Sequence, residues 1–308
     1  MKTKKAIAVL LLFVILVLTV ACGENKPSIA PKMWKVTSRD GNVLYLFGTI
    51  HVGDERSDEA FETVKPYFDD CDALAVEFDA VAYAKDTETM MRDMSKFVMT
   101  DGKTIRDVLG NELYDKAVAL LQDAGFYVPL IDYYNSAMWS QMITQALISK
   151  TDLKTEKAMD SLLTDYAYKS SIPVYSVESA EMQYNLLLEA PERYNILSIE
   201  QLIEDAAAFT GQAETMYKAW LEGKLDVFMA ATEEMDEGAL NEEDAKIVEE
   251  FNGRLLTQRN LGMAEKAEEY LKSGKKVFFA VGAGHMMGDD GLVALLERAG
   301  FTVEEINR

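Results

Sequence analysis

Two short apolar runs near opposite ends of the chain, Val43-Leu-Tyr-Leu-Phe47 and Val277-Phe-Phe-Ala-Val281, each pass straight into a Gly-x-x-His frame and then a Gly-Asp pair. Each run is too short for a buried helix, rich in β-branched and aromatic residues, and closed by glycine. Each therefore reads as a buried strand that stops at a histidine loop. The first frame is Gly48-Thr-Ile-His51 followed by Gly53-Asp54; the second is Gly282-Ala-Gly-His285, with one more residue before Gly288-Asp289. His51 and His285 are the only histidines among 308 residues. Imidazole titrates nearest neutrality and is the commonest metal ligand. Matched loops therefore point to one shared site at the carboxyl ends of neighbouring strands, where open α/β sheets bind ligands. The alternative at this point is a pair of buried, hydrogen-bonded histidines in repeated turns.

Between those ends the chain reads as one domain with a helical middle. Trp34-Lys-Val-Thr37 and Val43-Leu-Tyr-Leu-Phe47 flank the turn signal Asp40-Gly41-Asn42, which predicts a hairpin whose second strand delivers His51. Ser57 is placed to cap a helix carrying Phe61, Val64 and Phe68, with Pro66 ending or kinking it. Ala73-Leu-Ala-Val76 reads as a buried strand ending on the acid Glu77, and Ile172-Pro-Val-Tyr-Ser-Val177 as another ending on Glu178. Helical periodicity covers 87–150, clearest in Tyr114, Ala117, Val118 and Leu121, and returns over 180–273. There Asn241 caps the last helix, Gly253 or Gly262 interrupts it, and Gly274 stops it. Trp139, Met142 and Ile143 at helical spacing read as packing. The second histidine loop is followed by a helix through Leu292, Leu295 and Leu296 and a strand at Phe301-Thr-Val303. The expected class is α/β: a central mixed sheet with a strand, histidine-loop and helix half-repeat at each end of the chain and a long helical insertion between them.

Ahead of the domain, Lys2, Lys4 and Lys5 precede an apolar stretch over 6–20 and then Ala21-Cys22-Gly23, the layout of an export signal. The stretch is shorter than the roughly 20 apolar residues of a membrane span. Thr19-Val-Ala-Cys22 resembles a bacterial lipobox. On that reading residues 1–21 are a signal peptide, Cys22 is the lipidated N-terminus, 22–32 form a lipid-anchored tether and 33–308 the domain. The protein is then expected to be exported and anchored to the membrane on its extracytoplasmic face. A formal net charge of −21 repels phosphate backbones and anionic headgroups. No nucleic-acid partner is expected, and membrane association must come from the lipid. With Cys22 acylated, Cys71 has no cysteine to pair with; a disulfide framework is excluded, and Cys71 reads as a small core residue rather than a nucleophile.

Glu77 closes an apolar run, where an unpaired carboxylate is costly, so it must meet a cation, a proton or a donor. Such an acid can bind metal or serve as the base that deprotonates water. Glu178 has the same strand-end place among polar neighbours. Asp54 and Asp289 follow glycines and suit turn or cap roles better than ligation. Two histidines cannot build a three-histidine site within a monomer. A mixed site remains: His51, His285 and one carboxylate, with a coordination position left for water. No His-Glu-x-x-His helix, Gly-x-Ser-x-Gly elbow or phosphate-cradling Gly-x-x-x-x-Gly-Lys loop occurs.

These residues resemble the TraB/PrgY/GumN family, which includes the Tiki proteases. The resemblance is carried by Leu46-Phe-Gly-Thr-Ile-His51, Val76-Glu77, Val177-Glu178-Ser-Ala-Glu-Met-Gln183, Arg259-Asn260 with Met263, and Gly282-Ala-Gly-His285 through Gly291-Leu292. It implies a core related to erythromycin-esterase/ChaN-like folds and a hydrolytic site built on His51, His285 and Glu77. It also implies metal-dependent peptidase chemistry favouring manganese or cobalt. The expected cofactor is a divalent metal (manganese, cobalt or zinc) and the expected substrate a peptide or small molecule, with Glu178, Arg259 and Asp54 as secondary site candidates. One departure is that the family's Lys-Pro-Trp is replaced by Tyr134-Asn-Ser-Ala-Met-Trp139. The leading expectation is a lipid-anchored metal-dependent peptidase. The alternatives are a metal-free His/Glu esterase-like hydrolase, and a lipoprotein that binds haem, metal or peptide without turnover.

Overall fold

The computed structural model describes residues 28–232 and 240–307; the expected signal peptide, Cys22 and most of the tether lie outside the described residues. Six strands form one mixed sheet in the order β4-β3-β5-β2-β1-β6. They are β1 (Met33–Thr37), β2 (Val43–Thr49), β3 (Ala73–Val76), β4 (Val174–Ser176), β5 (Val277–Gly282) and β6 (Thr302–Glu305). The predicted hairpin forms: β1 pairs antiparallel with β2, and Gly41 takes φ +86° in the turn between them. β2, β5, β3 and β4 run parallel to one another.

Burial explains which strand goes where. β3 is buried at every residue and β5 at all but Gly282, as expected of parallel strands covered on both faces. β6, Thr-Val-Glu-Glu, lies at the edge with only Val303 partly buried, and its two acids discourage further strand pairing. The main core gathers the sheet with residues of helices Arg56–Phe68, Met159–Lys169, Arg259–Ser273 and Leu292–Arg298. A second, all-helical core packs Trp139, Ile143, Tyr114, Leu121 and Ile199 from helices Ser136–Ile148, Ile105–Asp123 and Glu192–Glu204. Met142 packs against it, so the methionine and aromatic spacing of that region is packing.

One local detail departs from what the sequence led us to expect. Ser57 does not cap its helix; the helix Arg56–Phe68 begins after Glu55, and the Ser57 hydroxyl turns inward to the Tyr217 hydroxyl at 2.9 Å. Pro66 sits in the last turn, and the helix ends two residues later. The long C-terminal helix is capped by Asn241, whose side chain accepts from Glu243 and Asp244 N–H, and is stopped by Gly274 at φ +76°. Its interruption is one π-helical stretch, Arg254–Gln258, directly after Gly253. Cys71 packs against the main core, gives its thiol to the Tyr67 carbonyl at 3.2 Å, and is pushed by burial up to about 12 in pKa, which makes it inert. Among the described residues no helix is long and apolar enough to cross a membrane.

Candidate functional site

β2 and β5 are adjacent and parallel, with Thr49 opposite Gly282, so the two Gly-x-x-His frames leave the sheet side by side at its carboxyl edge. Neither frame glycine has the positive φ of a tight turn. Space is the reason for both. A Cβ on Gly48 would come within 3.0 Å of the Ala283 backbone and 3.2 Å of Met286, which belong to the second loop. A Cβ on Gly282 would lie 3.1 Å from Glu77 Oε1, 3.6 Å from the His285 ring and 3.8 Å from His51 Nε2. The backbone of Gly282 is thus the point on which both imidazoles and the β3 carboxylate converge.

Glu77 is fixed from three sides. Its Oε1 accepts the Gly282 N–H at 2.8 Å; its Oε2 accepts from Arg259 Nη2 at 2.6 Å and from Gln183 Nε2 at 2.9 Å. Burial alone would raise its pKa, but His51, Arg259, His285 and the Gly282 N–H outweigh it and hold the pKa below the ordinary carboxylate range. Glu178 stands beside it because its N–H bonds the Glu77 carbonyl at 2.7 Å, extending the pairing of β3 and β4. The Arg259 guanidinium bridges both acids, reaching Glu178 at 2.8 and 2.9 Å, so each buried carboxylate has a cationic partner. Arg259 opens the helix that follows the π-helical stretch, a distortion often found at functional sites. Gln183 comes from the helix Ala180–Leu188, capped by Ser179, and also reaches Glu178 at 3.1 Å.

Each histidine is held by Nδ1. His51 Nδ1–H donates to the Asp160 carboxylate at 2.7 Å. His285 Nδ1–H donates to Asn260 Oδ1 at 2.6 Å, and Asn260 is oriented because its own Nδ2 donates to the Asp290 carbonyl at 2.7 Å. Nε2 is therefore the free nitrogen of both rings, the arrangement in which an outer partner fixes the tautomer of a ligating histidine. The surroundings otherwise differ. His51 leaves 69% of its side chain open to the cleft, and Asp160 raises its pKa to about 9. His285 leaves 5%, and burial lowers its pKa to about 4. The remaining acids sit elsewhere: Asp54 accepts from Arg56 and from the Tyr217 hydroxyl, which organises the first loop.

The donor chemistry suits a divalent cation in part. His51 Nε2 and Glu77 Oε1 both lie close to Gly282, and His285 Nε2 lies 3.8 Å from Glu77 Oε1. Yet among the described residues no three His, Cys, Asp or Glu side chains are close enough together to enclose an ion. The set is the right kind and stands open. The partners of the two rings were not given roles by the sequence reading. Asp160 stands in the first turn of the helix Met159–Lys169 and lies 109 residues from His51. Asn260 stood next to Arg259 in a recognised pair, yet nothing in the sequence tied it to His285.

A sequence model of the TraB/PrgY/gumN family matches residues 32–305. A relative, the protein named Metalloprotease TIKI2 from Xenopus tropicalis, is 24% identical over 326 aligned positions. The alignment takes in 92% of this chain and 61% of that protein, so the chain spans under two thirds of its relative's length. No solved structure matches the chain.

Proposed function

Because this chain belongs to the TraB/PrgY/gumN family, we propose that it is a metal-dependent hydrolase of peptides with His51, His285 and Glu77 at its reaction centre. The observation that carries the reading is the meeting at Gly282 of two imidazoles from opposite ends of the chain and the carboxylate that ends β3. The name of the Xenopus relative supports metal dependence. Manganese, cobalt or zinc would be held by Nε2 of His51 and His285 beside Glu77 Oε1, and when bound supplies a Lewis acid to the substrate carbonyl or to water. The chain's own residues do the positioning. Asp160 and Asn260 aim the rings, while Arg259 and Gln183 occupy Glu77 Oε2 and leave Oε1 toward the histidines. A carboxylate held at low pKa is a poor proton acceptor, so Glu77 fits a ligand or orienting charge better than a base.

The two strand, histidine-loop and helix segments are taken as related halves, in a core akin to erythromycin-esterase/ChaN-like folds. Residues 1–21 are an export signal, and a lipid on Cys22 tethers the domain to the extracytoplasmic face of the membrane, as the N-terminal pattern suggests. Labelled fatty acid should enter the intact protein and not its Cys22→Ala variant.

The test of the chemistry is to strip the purified protein with chelator, restore manganese, cobalt or zinc in turn, and follow peptide mixtures by mass spectrometry. Metal-restored cleavage that disappears in folded His51→Ala, Glu77→Gln and His285→Ala chains is the expected result. Full activity in all three variants would sink the proposal. Chelator-resistant cleavage would select a metal-free hydrolase instead, for which the His51–Asp160 pair is the specific observation. Uncleaved peptide together with a haem absorption band would select a binding lipoprotein.

A further inference from the structure

His51, Glu77, Arg259 and His285 line part of a cleft of about 370 Å³, a size common for small-ligand sites. The rest of its wall is apolar. Phe209, Ala213 and Met216 line it from the helix Ala206–Leu221, at the i, i+4, i+7 spacing of one helical face. Phe228 adds to it from the helix Leu225–Thr232, and Ile50 and Val52 do so on either side of His51. Gln212 also lines the cleft, but its Nε2 donates to the Ala231 carbonyl, so that donor is already taken. Among the described residues, the charges that line the cleft belong to the centre: His51, and Glu77 ion-paired with Arg259.

Arg259 also lines a second cleft of about 370 Å³, whose wall mixes the apolar side chains Met182 and Leu186 with polar and charged ones such as Gln183, Asn185, Glu189 and Arg254. A substrate at the reaction centre therefore meets a mostly apolar wall in the first cleft and a mixed, charge-bearing wall in the second. Such a contrast fixes which way a substrate lies. An apolar side chain gains by leaving water for the first cleft, and a charged one is penalised there, because the described residues of the wall offer no counter-charge away from the centre.

We infer that the apolar cleft is a specificity subsite for one large uncharged side chain, of the leucine or phenylalanine kind, next to the bond that is cleaved. The inference rests on the hydrolase reading for the word substrate, and on the cleft itself for the selectivity. Two measurements on the full protein test it separately. In the first, the Met216 methyl is followed by NMR while N-acetyl-leucinamide or N-acetyl-aspartate amide is added. Saturable displacement by the leucine compound only, lost when Ala213→Trp fills the cleft, is expected. If the tryptophan chain does not fold, Phe209→Ala, which removes part of the wall, must weaken the same binding. Equal response to both compounds, no response to either, or leucine binding unaltered in the folded variant overturns the inference.

In the second measurement, peptides differing only at the residue beside the cleaved bond are compared. A preference of about 10- to 100-fold in kcat/KM for leucine or phenylalanine over aspartate or lysine is expected. Cleavage without preference removes the subsite and leaves the hydrolase. Selective binding at Met216 with no cleavage of any peptide removes the hydrolase and leaves the subsite.

Discussion

The two histidine loops share a sequence frame, adjacent parallel strands and a common target at Gly282, yet their rings sit in opposite surroundings. His51 faces the open cleft and leans on a carboxylate; His285 is buried and leans on a neutral amide. The consequence is a division of labour that the motif does not announce. One imidazole can meet substrate or solvent and is charged at neutral pH without a cation, whereas the other is a neutral fixture of the floor. A matched pair of strand ends can thus supply two chemically different groups, because the third element packed against each loop decides the outcome. For His51 that element is the helix opening at Met159, and for His285 the helix opening at Arg259.

The comparison breaks most visibly if the two rings are removed one at a time. His51→Ala and His285→Ala should each lower kcat/KM by about 10²- to 10⁴-fold on the hydrolase reading. Their stabilities should part. His285→Ala strands the buried Asn260 Oδ1 and should cost roughly 1–3 kcal/mol, whereas His51→Ala loses an open ion pair and should cost under about 1 kcal/mol. Urea unfolding of both variants measures this, and equal losses would mean that the two sites are alike after all.

Exchanging the partners sharpens the contrast. Asp160→Asn and Asn260→Asp should each lower metal affinity or activity by about 10- to 100-fold, the usual penalty for disturbing an outer partner of a ligating histidine. Asp160→Asn should also bring the His51 pKa down from about 9, and Asn260→Asp should bring that of His285 up from about 4. Imidazole NMR on metal-free protein reads both.

In the unaltered metal-free protein the same spectra should show His51 losing its proton near pH 9 and His285 staying neutral until about pH 4. The signs for stability follow. The His51 pKa is raised, so its contribution is full below about pH 6.5 and lost as pH rises through about 9. The His285 pKa is lowered, so protonation favours the unfolded chain and stability falls as pH drops from about 6.5 to about 4. Coincident titrations would erase the distinction between the loops.

Much of this site was legible in the residues themselves. The strands that carry His51, Glu77 and His285 are short apolar runs ending in glycine or an acid, and such local patterns survive folding. The mixed sheet followed from the hairpin at Asp40-Gly41-Asn42 and from strands separated by helical segments. Environment was not legible. Whether a ring leans on a carboxylate or on an amide depends on Asp160 and Asn260, one 109 and the other 25 positions away, and no periodicity links them to the loops. Ser57 failed as a cap for the same reason: its hydroxyl finds a tertiary partner in Tyr217, 160 positions away, instead of the local N–H groups.

Tyr217 supplies the mildest test, because it supports only the first loop. Its buried hydroxyl donates to Asp54 Oδ1 at 2.9 Å, accepts the Asp54 N–H at 3.2 Å and meets Ser57 Oγ at 2.9 Å. The second loop is held instead through Asn260 and the Asp290 carbonyl. Tyr217→Phe keeps the ring stacked on Trp220 at 6.1 Å and under the Arg56 guanidinium at 5.0 Å, so only the hydroxyl is lost. Ser57, itself fully buried, is then left without that partner, and the expected cost is about 1–3 kcal/mol in urea unfolding. Because Asp54 keeps Arg56 and lies beyond His51 in the loop, the His51 titration should move little and His285 not at all. A change at His285 equal to that at His51 would mean the loops are mechanically one unit, and the separation of their environments would not extend to their supports.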